Sequence, residues 1–91
     1  MSHKSHGQLT KELNEAKQKV ALGGVYAHYK HPDDTYRVTG FGFIESTDEV
    51  AVIYQSVREP ELVFVRPLAS WLEMAENDSG SVPRFSRTGL E

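Results

Sequence analysis

Residues 23–30 read Gly23-Gly24-Val25-Tyr26-Ala27-His28-Tyr29-Lys30, two glycines followed by a strict alternation. Here a helical period gives way to an extended one. Successive side chains of an extended chain point to opposite faces, so Val25, Ala27 and Tyr29 share one side of a predicted strand and Tyr26, His28 and Lys30 the other. Upstream, Leu9, Leu13, Ala16 and Val20 recur at spacings of four, three and four. That pattern places a narrow apolar stripe on a helix over 8–22, with Glu15 and Lys19 paired on its wet side and the glycines closing it. The stripe suits a helix laid on a β-body, and it also suits self-association or docking of a protein partner through the same four residues. Residues 1–7 are polar and have nothing to bury, which predicts a disordered tail.

Downstream of the strand, His31-Pro32-Asp33-Asp34 is expected to break it as a turn. Residues 35–45 resume an extended pattern, with Gly40 and Gly42 leaving gaps that predict a bulge or sharp bend. Ser46-Thr47-Asp48-Glu49 is a second polar turn. Val50 to Val57 is rich in apolar and β-branched residues on both faces, as in a central strand. Leu62 to Arg66 forms another strand, and Pro67 suits the start of a short helix whose apolar face holds Leu68, Trp71, Leu72 and Ala75. A flexible loop over 77–81 leads to an edge strand at Val82-Pro83-Arg84-Phe85, and residues 86–91 read as a tail.

Short strands and tight turns predict a mainly β fold. Its expected form is a small, strongly bent antiparallel sheet or partly open SH3-like barrel, with the N-terminal helix and the short helix after Arg66-Pro67 attached. The β-rich domain is expected over 23–85, with Val25, Tyr29, Val38, Ile53 and Val65 meeting in one interior.

The chain has 91 residues, 38% of them hydrophobic and 25% charged, enough for one domain with one core. With no cysteine there is no disulfide to reinforce it. No apolar run approaches the roughly 20 residues of a membrane span, and Met1-Ser2-His3-Lys4 lacks the apolar stretch of a secretory signal, so a cytoplasmic location is expected. Residues 1–20 carry four Lys against two Glu, while 21–91 carry six Lys/Arg against eleven Asp/Glu. Phosphate backbones are bound by clustered cations, so the acidic body argues against nucleic acid as a partner.

The ordered set Gly24, Tyr26, His28, Tyr29, Lys30, then Tyr36 and Val38, then Val52, Tyr54 and Gln55, then Arg66-Pro67-Leu68, and finally Pro83-Arg84-Phe85 resembles a small, mostly bacterial family known as domain of unknown function 1653. The resemblance runs over 23–85 and implies a compact β-rich domain with no established activity. This sequence departs from the family pattern at several places. The 31–34 segment is longer, Phe64 stands where Trp is commoner, and Trp71 stands where Phe is commoner. Ile44 occupies a position that is often polar, frequently His, so no role built on that His carries over.

The candidate ligand-binding residues are Tyr26, His28, Lys30, Tyr54 and Arg66. His28 and Lys30 share a strand face, and Arg66 joins them if the first and last long strands pair. The result is a cationic, aromatic patch for a small anion or a peptide. Arg66 is the stronger anion ligand because its planar fork can make two bonds at once. Alternatively, Arg66 pairs with Glu49 or Glu73 and only braces the fold, and Tyr26, Tyr36, Tyr54 and Trp71 are core residues. An enzymatic alternative has His28 as general acid or base, with Glu49 as a possible partner, and Arg66 as anion clamp in a small hydrolase or transferase. His3, His6, His28 and His31 lack the further ligands of a metal site, and no cofactor motif is present, so neither metal nor cofactor is expected.

Overall fold

The structure, a computed structural model, describes residues 4–89. Helix α1 (His6–Lys19) begins two residues before the expected position, because Ser5 caps it. The Ser5 hydroxyl accepts the Gln8 N–H at 3.1 Å and satisfies one of the unpaired donors of the first turn. The Lys4 N–H donates to the Asp48 carboxylate at 2.9 Å, and its ammonium pairs with Glu12 at the same distance. Residues 4–7 of the expected tail are therefore tied to the body, and residues 1–3 lie outside the described part.

Ala16 and Val20, at 0% and 1% exposure, carry the apolar stripe of α1 into the sheet, while Leu9 and Leu13 are half-buried. The helix stops at Lys19. Gly23 then adopts φ +82°, the left-handed region that a side chain disfavours, and turns the chain into the first strand.

Seven strands follow: β1 (Val25–His28), β2 (His31–Ile44), β3 (Glu49–Ser56), β4 (Val63–Pro67), β5 (Met74–Asn77), β6 (Gly80–Pro83) and β7 (Phe85–Arg87), with helix α2 (Leu68–Trp71) between β4 and β5. The fold is mainly β and antiparallel. One sheet has the order β4-β3-β2-β1-β7, and β5 and β6 form a separate hairpin. No closed barrel forms, so the bent sheet is the form adopted. No helix among the described residues is long and apolar enough to cross a membrane.

Curvature has a local cause. The β2–β3 register shifts between Val38 and Gly40, a bulge at the place where the glycines predicted one. Because of that extra residue Val38 and Phe41, three positions apart, both pack with the core cluster. Flat, the two edge strands β4 and β7 would lie four spacings apart, roughly 19 Å. Instead the Arg66 guanidinium of β4 lies 5.3 Å from the ring centre of Phe85 on β7. The sheet is curled enough for side chains of its two edge strands to meet.

The concave side holds the core: Val20, Tyr26, Val38, Val52, Tyr54, Trp71 and Phe85. This corrects the expected interior. Val38 is there and Val25 is buried at 2% outside that cluster, but Val65 is 61% exposed, Tyr29 and Ile53 are only half-buried, and the cluster residues of β1 and β3 are Tyr26, Val52 and Tyr54. Trp71 plugs the centre. Its ring stacks on Phe85 at 3.9 Å and meets Tyr54 and Tyr26 edge-on at 5.0 and 5.2 Å. Buried Tyr26 keeps its polar end satisfied, since its hydroxyl accepts the Ala21 N–H at 2.9 Å.

Three further local expectations change. His28 pairs directly with His31, so the β1–β2 turn is Tyr29-Lys30, and Pro32-Asp33-Asp34 is absorbed by the irregularity that separates this pair from Ala27–Thr35. The expected loop at 77–81 is the tip of the β5–β6 hairpin, turned at Gly80 with φ +110°. Ser86 and Arg87, expected in a tail, pair with Ala27 and Tyr26 as part of β7.

Candidate functional site

The concave face does not fill completely. A cavity of about 210 Å³ remains, lined by His28, His31, Tyr36, Tyr54, Phe64, Arg66 and Phe85. Five strands contribute to it. His28 comes from β1, His31 and Tyr36 from β2, Tyr54 from β3, Phe64 and Arg66 from β4, and Phe85 from β7. The β1–β4 pairing on which the sequence argument relied does not form, because β1 pairs with β2 and β7 while β4 pairs with β3. Curling of the sheet places His28 and Arg66 around one space all the same.

Of the five candidate residues, His28, Tyr54 and Arg66 line the cavity. Tyr26 faces the same side but is buried at 8% exposure with its hydroxyl engaged. Lys30 is an exposed turn residue, not a strand neighbour of His28, and its ammonium lies 5.8 Å from the Tyr29 ring centre. His31, Tyr36, Phe64 and Phe85 were absent from the predicted set. Phe64 and Arg66 stand two apart on one strand, so strand alternation signals that they share a face.

Arg66 is half-buried and held on three sides. Its Nε donates to the Tyr54 hydroxyl at 3.3 Å, its Nη1 donates to the Ser70 hydroxyl at 3.0 Å, and its plane lies over Phe85. Both hydrogen-bond partners are neutral. Among the described residues no carboxylate forms an ion pair with Arg66; Glu73, one expected partner, pairs with Arg84 at 3.4 Å. An unpaired charge withdrawn from water is costly and attracts a counter-ion. Two of the five guanidinium donors are in use, which leaves three for another acceptor.

At the other end of the cavity, the His28 Nδ1 accepts the Lys30 N–H at 3.2 Å, and its ring meets Phe85 edge-on at 5.1 Å. With Nδ1 engaged as an acceptor, the neutral ring carries its proton on Nε2 and offers a donor there. Burial holds the His28 pKa below its ordinary value of 6.5, helped by Arg66, Arg84, His31 and Lys30. The sign of the stability effect follows. The unfolded chain takes up the His28 proton more readily than the folded one, so this contribution is complete above about pH 6.5 and is lost as pH falls below it. Melting temperatures at pH 8 and pH 5 should therefore differ less for His28→Gln than for the parent, and the His28 ring should titrate below 6.5 by NMR.

Residues 24–87 match the family described as "Protein of unknown function (DUF1653)". The chain belongs to the DUF1653 family. A crystal structure of a DUF1653 protein from Bordetella bronchiseptica is similar to it, with 36% sequence identity and a TM-score of 0.63, over 74% of this chain and 86% of that one. No curated protein matches the chain.

Within this DUF1653 domain, Phe64 and Trp71 share a neighbour: Phe64 stacks on Tyr54 at 5.5 Å, and Trp71 meets Tyr54 at 5.0 Å.

Proposed function

We propose that this DUF1653 domain is a non-enzymatic binding module whose concave cavity receives the anionic group of a ligand, with Arg66 as its principal contact. One observation carries the proposal: a half-buried guanidinium, fixed by two hydroxyls and an aromatic face, with no ion-pair partner among the described residues. Fixing the fork beforehand lowers the entropy lost when it bonds an anion. His28, on the same lining, carries a neutral donor at Nε2. An acid–base role for His28 receives less support, because no carboxylate bonds to it among the described residues and its Nδ1 is occupied by the Lys30 N–H.

The test is an NMR titration with acetate and with inorganic phosphate, following the Arg66 side-chain signal. Saturable shifts are expected in the parent. Arg66→Ala should weaken binding by about 10-fold or more, the worth of a charge-assisted hydrogen bond. Arg66→Lys, which keeps the charge but not the fork, should fall between. Equal affinity of parent and Arg66→Ala for both anions would overturn the assignment.

A further inference from the structure

We infer that the cavity is built for a single planar ring bearing one carboxylate, with the ring against Phe64 and Tyr36 and the carboxylate on Arg66. This rests on the proposed role of Arg66 and goes further, because the rest of the lining restricts what the anion is attached to.

Four of the seven lining residues are Tyr36, Tyr54, Phe64 and Phe85. Tyr54 and Phe85 belong to the buried core, and Phe85 has Trp71 against it at 3.9 Å and the Arg66 guanidinium at 5.3 Å. Phe64 differs. It is 40% exposed and meets Tyr36 edge-on at 5.9 Å, so aromatic surface remains open to solvent beside Arg66. A ring placed there gains both apolar burial and aromatic contacts. Apolar lining with a few convergent polar groups is the ordinary form of a small-ligand site.

Size narrows the class. Sites for drug-sized ligands run to about 300–1,000 Å³. At about 210 Å³ this cleft, open to solvent on one side, encloses about one ring with a small substituent, and any larger ligand would leave its remainder outside.

Charge narrows it further. Arg84 is paired with Glu73, and Lys30 stands outside on the turn, which leaves Arg66 as the permanent positive charge on the lining. One fixed charge matches a monoanion. The three remaining guanidinium donors suit the two oxygens of a carboxylate.

The experiment compares benzoate, acetate, benzyl alcohol, phenyl phosphate and N-acetylphenylalanine by NMR titration of the full chain at pH 7.5. Benzoate is expected to bind about 10-fold or more tightly than acetate and than benzyl alcohol, and no more weakly than phenyl phosphate. Phe64→Ala removes a side chain that is 40% exposed and also stacks on Tyr54 at 5.5 Å, so its fold is checked by circular dichroism beside the titration. It should bring benzoate down to the affinity that acetate has for the same variant. If N-acetylphenylalanine outranks benzoate, the ring and carboxylate are recognised apart, as at a peptide C-terminus, which overturns the inference; the reverse order supports it. Equal binding of benzoate and acetate, or of benzoate in parent and Phe64→Ala, overturns the inference while Arg66 keeps its anion. Binding of none of these probes removes both.

Discussion

Trp71→Ala should come close to unfolding the domain, lowering its stability by about 3–5 kcal/mol, the usual cost of truncating a large buried aromatic. Small domains have a total of about 5–15 kcal/mol to lose. Trp71 is 3% exposed and comes from a four-residue helix with no side-chain cap, so α2 is held in place mainly by that ring. Removing it opens a cavity between β1, β3 and β7 at once, because Tyr26, Tyr54 and Phe85 all pack on it. The melting temperature should fall by roughly 15–30 °C, which a thermal scan by circular dichroism reads directly. Trp71→Phe should cost much less. Adding Phe64→Trp to it should recover part of that loss, since both rings pack on Tyr54 and the pair conserves volume around it. A double variant no more stable than additivity allows would show that the two positions are independent.

Tyr54→Ala is expected to be nearly as damaging, again about 3–5 kcal/mol by urea unfolding, and it also removes a hydrogen-bond partner of Arg66 directly. Tyr54 touches Tyr36, Phe64, Trp71 and Phe85, and its hydroxyl accepts from Arg66 at 3.3 Å. Tyr54→Phe separates the two roles. Keeping the ring, it should lose only about 0.5–1.5 kcal/mol of stability, the net value of one hydrogen bond. Acetate affinity should nevertheless drop, because Arg66 then keeps only the Ser70 hydroxyl as a hydrogen-bond partner. Unchanged affinity in Tyr54→Phe would mean that Ser70 and Phe85 orient the guanidinium without help.

Only part of the site was legible in the residue order. His28, Tyr54 and Arg66 stand out as polar or amphipathic groups on predicted strands, and all three line the cavity. Nothing in the residue order marks Phe64 and Phe85 as lining, since nothing local distinguishes a ring that packs from one that packs and also borders a space. Lys30 was misplaced for a definite reason. The Pro-Asp-Asp segment is turn-like in composition, but the β1–β2 pairing closes two residues earlier and leaves that segment as an irregularity in β2.

Local chemistry was enough to establish the mainly β class, the N-terminal helix, the bend at the glycines of β2 and the short helix after Arg66-Pro67. Each depends on periodicity or on the backbone freedom of one or two residues, which neighbours along the chain settle among themselves. Alternation divides a strand into two faces without saying which of them is inside. That choice was made by packing: the face bearing Tyr26, Val52 and Tyr54 could bury more aromatic surface against Trp71 and Phe85 than the face bearing Ile53 and Val65. The meeting of Arg66 with His28 is likewise tertiary, for it joins strands that share no hydrogen bond and lie around one cavity only because the sheet between them is curled.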